Sequence, residues 1–116
     1  MQKLPFCSAE KLREIASVYP TPFHLYDEAG LRRTARGLLS AFAWNQGYRE
    51  YYAVKACPNP FILQIPKEEG CGLDCASLAQ LKLARATGLS GHQVTCPSTQ
   101  HTAGDVASPR TLGRTH

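Results

Sequence analysis

Long apolar runs and blocks of like charge are absent from this chain of 116 residues. No stretch approaches the roughly 20 apolar residues of a membrane-spanning helix, so we expect no membrane segment. The net charge is +4 and the basic residues are scattered rather than gathered in a stripe, which argues against nucleic-acid binding. Residues 1–20 carry charges throughout and have no apolar signal-peptide core, which predicts a cytoplasmic protein.

Paired metal-binding motifs are absent too, although the chain contains five cysteines: Cys7, Cys57, Cys71, Cys75 and Cys96. An odd number of cysteines without an export signal predicts reduced thiols rather than disulfides. Cys71 and Cys75 are separated by Gly-Leu-Asp, with no CxxC motif and no paired histidines, so we expect no zinc site. We interpret the cysteines as small buried apolar residues.

Four helices are predicted from apolar periodicity and from residues that favour the N-cap position: Ser8, Asp27, Asn59 and Ser77. Pro60 follows Asn59 at the first helical position, where proline is favoured. Pro66, further along the same run, predicts a kink or an early end of that helix. Gly70 and Gly88 are expected to end the last two helices.

Strand patterns alternate with these helices at Phe23–Tyr26, at Tyr48–Lys55, over residues 71–76 and from His92 onward. This order, with short connections, is typical of the βαβ units of a parallel sheet or barrel. A (β/α)₈ barrel needs about 250 residues, so the chain would hold about three of the eight units. The sequence therefore predicts an α/β fold, either the first part of an incomplete barrel or a smaller sheet.

The composition changes near Thr95. Residues 95–116 are rich in Thr, Ser, Pro, Gly and Ala, and few of them are large and apolar. Such a segment buries too little surface to offset the entropy lost on ordering. We therefore divide the chain into a folded part, residues 1–94, and a divergent segment, residues 95–116, that is predicted to be disordered.

Lys55 is the candidate for chemistry. Strand alternation places Tyr51, Ala53 and Lys55 on one face, with Lys55 at the carboxyl end, where barrel active sites are built. An amine there would be partly desolvated and usable as a nucleophile towards an aldehyde. A solvated surface lysine is the alternative, and on position alone it is the commoner case.

Asp74 lies at the end of the next predicted strand, on the same face as Gly72. If the two strands are parallel neighbours, Asp74 lies beside Lys55, where its carboxylate could orient the amine while Gly72 leaves room for a ring. An ordinary ion pair or a capping aspartate explains the spacing equally well.

Three segments, residues 21–27 (TPFHLYD), 51–60 (YYAVKACPNP) and 68–77 (EEGCGLDCAS), carry a family resemblance. Together they resemble the fold-type III pyridoxal-phosphate-dependent decarboxylases of diaminopimelate, ornithine and arginine. Diaminopimelate decarboxylase is the most similar of these, and the resemblance extends over about residues 20–94.

The resemblance implies that Lys55 binds pyridoxal 5'-phosphate covalently, with Ala53 and Asp74 in its immediate surroundings. It implies decarboxylation of a small amino acid, meso-2,6-diaminopimelate, to L-lysine and CO₂, by a family whose members are typically homodimers. It also implies a (β/α)₈ barrel that begins near Tyr51, preceded by a helix and by a strand, residues 23–26, that belongs to a separate β-domain.

The family's glycine-rich phosphate loop, its ring-stacking histidine and the acidic partner of its pyridine nitrogen come later in its sequences and have no counterpart in this one. His92, His101 and His116 match none of them and are expected to face solvent. A truncated or frameshifted sequence would give this pattern, and we expect the 116-residue chain alone to be inactive. The alternatives are a non-catalytic remnant or binding module of the same fold, a decarboxylase of ornithine or arginine, and a racemase-like barrel.

Overall fold

The computed structural model describes residues 3–96. In chain order its elements are α1 (Ala9–Val18), α2 (Glu28–Ala41), β1 (Tyr51–Ala53), a 3₁₀ turn (Val54–Ala56), α3 (Pro60–Glu68), β2 (Gly72–Asp74), α4 (Leu78–Ala86), a second 3₁₀ turn (Gly91–Gln93) and β3 (Val94–Thr95). Residues 97–116, which make up most of the segment that is predicted to be disordered, lie outside the described residues.

The predicted helix boundaries follow from local capping and are confirmed. Each helix begins after a residue whose side chain accepts a backbone N–H of the first turn: Ser8, Asp27, Asn59 and Ser77. Gly70 and Gly88 follow α3 and α4 with φ angles of 95° and 83°. Because glycine has no Cβ, it adopts these left-handed angles without strain and so ends a helix.

Helix α3 continues through Pro66 to Glu68, so the early end, one of the two outcomes expected at Pro66, does not occur. Pro66 lies inside the helix and is buried together with Ile62 and Ile65. A proline there cannot donate the backbone hydrogen bond of its turn. Burial of three neighbouring apolar side chains offsets that loss, since each contributes on the order of 1 kcal/mol or more.

The strands form one parallel sheet in the order β1-β2-β3. Tyr51 pairs with Gly72 and Ala53 with Asp74, and Asp74 in turn pairs with Thr95. Helix α3 connects β1 to β2 and α4 connects β2 to β3, so the chain makes two successive βαβ crossovers. This arrangement is consistent with the first part of a barrel.

Two strand predictions need correction. β1 ends at Ala53 rather than at Lys55, because its neighbour β2 ends at Asp74 and a ladder extends only as far as both strands do. Lys55 lies instead in the 3₁₀ turn Val54–Ala56. The predicted strand Phe23–Tyr26 is not formed, since no described strand runs beside it to pair with its backbone groups.

The core lies between one face of the sheet and helices α3 and α4. It consists of Val54, Leu63, Leu73, Cys75, Leu81, Ala84, Leu89 and Cys96. Cys71 is buried as well, whereas Cys7 and Cys57 are half-buried, so the interpretation of the cysteines as buried apolar residues holds for three of the five. Because Cys96 belongs to the core, the folded part includes the first residues after the change in composition.

Helix α2 packs beside α3 through ion pairs rather than through buried side chains. Arg32 Nη2 lies 2.7 Å from Glu68 Oε2 and Arg32 Nη1 lies 3.0 Å from Glu69 Oε1, while Arg36 Nε lies 2.6 Å from Glu69 Oε2. Hydrogen bonds from Arg36 first, and then from Arg32, hold the pKa of the Glu69 carboxyl below its usual value. None of the helices within residues 3–96 is long and apolar enough to span a bilayer.

Candidate functional site

The candidate site lies on the face of the sheet opposite the core, which we call the inner face. The strand register places five residues there: Tyr51, Ala53, Gly72, Asp74 and Thr95. Helices α3 and α4 pack against the other face, where Leu73 and Cys75 lie. In parallel α/β folds, ligands bind at the carboxyl ends of the strands, so the end that carries Asp74 and Thr95 is the relevant one.

Tyr51 closes the amino-terminal end of the inner face. Its hydroxyl donates a 2.6 Å hydrogen bond to the carbonyl oxygen of His92. Its ring lies so close to Gly72 that a Cβ there would come within 2.5 Å of Tyr51 Cδ1 and 2.6 Å of the Gln93 carbonyl oxygen. Gly72 therefore leaves room for a ring, as the sequence suggested, and that ring is the side chain of Tyr51.

Asp74 and Thr95 meet at the carboxyl end of the inner face. Both are partly buried, and Thr95 Oγ1 donates a 3.0 Å hydrogen bond to Asp74 Oδ1. Among residues 3–96, no lysine or arginine pairs with this carboxylate. Asp74 is therefore held by a neutral donor on the next strand, a partner that the sequence did not predict.

Lys55 lies just beyond the carboxyl end of β1 and is exposed. The expectation that its amine is partly desolvated is wrong for this structure, because the chain leaves the sheet after Ala53 and buries Val54 instead. Within the described part of the chain, the amine makes no ion pair and no hydrogen bond, so the predicted contact with Asp74 is not formed. Both residues nevertheless lie at the same end of neighbouring strands.

Tyr26 and Cys57 form a contact near this turn that nothing in the sequence indicated, since they are 31 positions apart. The Tyr26 hydroxyl and the Cys57 sulfur are 3.6 Å apart. This hydrogen bond is the main cause that raises the pKa of the Tyr26 hydroxyl. The contact brings the segment before α2 close to the turn that carries Lys55.

A separate cavity of about 600 Å³ lies between α2, β1 and α3. Its walls are mainly apolar and include Leu31, Tyr52, Ile62 and Ile65. Lys55 does not line it, and neither does any residue of β2 or β3. The cavity is therefore distinct from the carboxyl end of the inner face.

Histidine and metal chemistry have no support in the described residues. His92 is exposed, as predicted, while His101 and His116 lie outside the described residues. Within residues 3–96, His, Cys, Asp and Glu side chains form no cluster of three or more that could hold a metal ion. The two candidate residues that the sequence nominated, the amine of Lys55 and the carboxylate of Asp74, lie at one end of the sheet.

Residues 29–109 match the protein family described as "Pyridoxal-dependent decarboxylase, pyridoxal binding domain". Protein TabA of Pseudomonas amygdali pv. tabaci is 46% identical over 83 residues, which cover 72% of this chain and 20% of TabA. Diaminopimelate decarboxylase of Bacteroides thetaiotaomicron is 36% identical over 74 residues, which cover 64% of this chain and 19% of that enzyme. The chain thus spans about a fifth of the length of these curated relatives.

Among solved structures, the crystal structure of lysine decarboxylase from Selenomonas ruminantium is similar, with a TM-score of 0.83. The match covers 95% of this chain and 28% of that one, at 21% sequence identity. At this level of identity the likeness concerns the fold alone. This likeness agrees with an α/β fold of two successive βαβ crossovers.

Proposed function

Because this chain belongs to the pyridoxal-dependent decarboxylases, we propose that it supplies the lysine-bearing part of a pyridoxal-phosphate site. Lys55 is the residue that binds the cofactor covalently, with Ala53 and Asp74 in its immediate surroundings. One observation carries this proposal. An exposed amine without an ion pair among the described residues follows β1 at the end of the sheet where the Asp74 carboxylate lies.

The residues present fit an aldehyde cofactor. An amine that attacks a carbonyl carbon must be accessible and must give up its proton. Among residues 3–96, no carboxylate lies within ion-pair distance of Lys55 Nζ, so no ion pair blocks access to the amine. On the inner face, the small side chain of Ala53 occupies the position before the turn.

Each residue has a separate task in this proposal. The chemistry that pyridoxal phosphate supplies when bound is a sink for the electron pair that the departing CO₂ leaves on the substrate carbon. Lys55 Nζ would hold the cofactor covalently, and, once displaced from it by the substrate amine, would hold or move a proton at that atom. Asp74 uses Oδ1 to accept from Thr95, which leaves Oδ2 to act as an acceptor for an amine.

The reaction that we propose for this site is decarboxylation of meso-2,6-diaminopimelate to L-lysine and CO₂. Support comes from similarity to diaminopimelate decarboxylases, 36% identity in one case and 31% over 112 residues of the Deinococcus radiodurans enzyme in another. We expect no turnover by the 116-residue chain alone. Fixing the phosphate, protonating the ring and orienting the scissile carboxylate supply most of the rate, and the groups that perform these tasks in the family have no counterpart in this sequence.

Equilibrium binding tests the proposal. The full 116-residue chain is titrated with pyridoxal phosphate, and the visible absorption of the bound cofactor is recorded for three proteins. Lys55→Ala should abolish the absorption change, whereas Lys82→Ala, which removes an exposed lysine of α4, should leave it intact. Equal absorption changes in wild type and Lys55→Ala would rule out Lys55 and favour a non-catalytic binding module of the same fold.

A further inference from the structure

Thr95 occupies a position at which its side chain can control Asp74. It is the last residue of β3 and lies opposite Asp74 in the parallel register, so both side chains are on the inner face. The residues on either side of Thr95 face the core, where Cys96 is buried and Val94 packs. The backbone of Thr95 is fixed as well, because its carbonyl oxygen accepts a 2.9 Å hydrogen bond from the N–H of Cys75.

We propose that Thr95 is a positioning residue that holds the Asp74 carboxylate in one side-chain rotamer and directs Oδ2 towards the amine of the cofactor site. The consequence for cofactor binding rests on the proposed function of Lys55 and Asp74. The effect on the Asp74 rotamer does not rest on that proposed function, since it follows from the contact between Thr95 and Asp74 alone.

The physical reason that Thr95 can fix the Asp74 rotamer is the number of hydrogen-bond partners that the Asp74 carboxylate has. An aspartate side chain can occupy three staggered χ1 rotamers, and a partly exposed one exchanges among them unless a contact selects one. Within the described residues, the hydroxyl of Thr95 is the side-chain donor that Asp74 accepts from. A hydrogen bond to a carboxylate is stronger than one between neutral groups, so this contact is sufficient to select a rotamer.

Threonine suits this task better than a flexible donor. Its branched Cβ restricts χ1, so the hydroxyl direction is largely set by the backbone of β3. Valine has nearly the same shape without the hydroxyl, and serine keeps the hydroxyl without the methyl group. Thr95→Val and Thr95→Ser therefore separate the hydrogen bond from the packing.

The first test measures the Asp74 rotamer in the full chain without cofactor. Three-bond NMR couplings of the Asp74 side chain should report one rotamer in wild type and in Thr95→Ser. In Thr95→Val they should report averaging among rotamers. Thermal unfolding verifies that each variant is folded, and Thr95→Ala takes the place of Thr95→Val if the valine variant is not. A single rotamer in the folded variant that lacks the hydroxyl, or averaging already in wild type, would overturn the proposal.

The second test measures the affinity for pyridoxal phosphate. Thr95→Val should raise Kd about tenfold, which corresponds to a hydrogen bond worth about 1.4 kcal/mol, and Thr95→Ser should stay within about twofold of wild type. In an Asp74→Ala background, Thr95→Val should cause no further change, because a residue that acts through Asp74 has nothing left to position. An equally large effect in that background would assign Thr95 a merely structural role.

The two proposals fail in different ways. If Lys55→Ala binds the cofactor as well as wild type does, the proposed function fails, and the NMR couplings still decide the role of Thr95. If Lys55→Ala abolishes binding while Thr95→Val binds like wild type, the proposed function stands and the positioning role of Thr95 is refuted.

Discussion

The two faces of the three-stranded sheet differ in what their side chains contact. On the core face, Leu73 and Cys75 are fully buried under α3 and α4. On the inner face, the adjacent Asp74 is partly exposed and accepts a hydrogen bond from Thr95. Because successive side chains of a strand point to opposite faces, residues that stabilise the core alternate along β2 with residues of the candidate site. A substitution on the core face should therefore affect stability most, whereas a substitution at the carboxyl end of the inner face should affect binding.

The largest stability effect is expected on the core face. Leu73 is 0% exposed and belongs to the main apolar cluster, so Leu73→Ala should lower the free energy of unfolding by about 2–5 kcal/mol. The matched control is Leu4→Ala, since Leu4 is 82% exposed and should change that free energy by at most about 0.5 kcal/mol. Urea denaturation followed by circular dichroism measures both. Equal losses of unfolding free energy in Leu73→Ala and Leu4→Ala would mean that the core face is not the part of the sheet that stabilises the fold.

A smaller effect is expected where the inner face is tightly packed. In Gly72→Ala, the new Cβ would meet the Tyr51 ring at 2.5 Å and the Gln93 carbonyl oxygen at 2.6 Å, so we expect a loss of about 1–3 kcal/mol. Gly37→Ala is the matched control, because a Cβ at this position of α2 meets nothing within 4 Å. Alanine should stabilise that helix by about 0.5–1 kcal/mol. If urea denaturation shows that Gly72→Ala and Gly37→Ala change the free energy of unfolding in the same direction, Tyr51 does not pack on Gly72 as described.

The ion pairs of α2 should add a pH-dependent contribution to stability. The pKa of Glu69 is lower in the folded chain than its ordinary value of 4.5. A carboxyl whose folded pKa is depressed stabilises the fold above its unfolded pKa, and this contribution is lost as the pH falls through the folded value. Stability should therefore decline below about pH 4.5, and Glu69→Gln should flatten that decline.

The control for this pH dependence is Glu10→Gln, since Glu10 on α1 is exposed and makes no ion pair among residues 3–96. Thermal unfolding between pH 6 and pH 3 measures all three proteins. If Glu69→Gln loses stability with falling pH as steeply as wild type does, Arg32 and Arg36 do not stabilise the charged form of Glu69.

Features of the fold that depend on neighbouring residues could be predicted from the sequence. The N-cap residues and the terminating glycines act within one helical turn, and all of them are where the pattern places them. The strand ends could not be predicted in the same way, because the length of β1 depends on where β2 ends. The exposure of Lys55 follows from that shorter strand.

Parts of the candidate site come from residues that are far apart in the chain. Lys55, Ala53 and Asp74 could be nominated because their motifs are local, whereas the hydroxyl that holds Asp74 comes from a residue 21 positions later. Composition alone placed Thr95 at the start of a divergent segment, although it ends β3. The composition of a segment describes an average over its residues and does not identify the partner of one side chain.

Lys55 is the residue that we propose as the attachment point for pyridoxal phosphate. The most direct measurement is to incubate the full chain with the cofactor, reduce it with borohydride and map the modified peptide by mass spectrometry. The other lysines, Lys3, Lys11, Lys67 and Lys82, serve as internal controls within the same sample. We expect one modification, at Lys55, which is absent from Lys55→Ala. Modification spread over all five lysines in proportion to their exposure would contradict it.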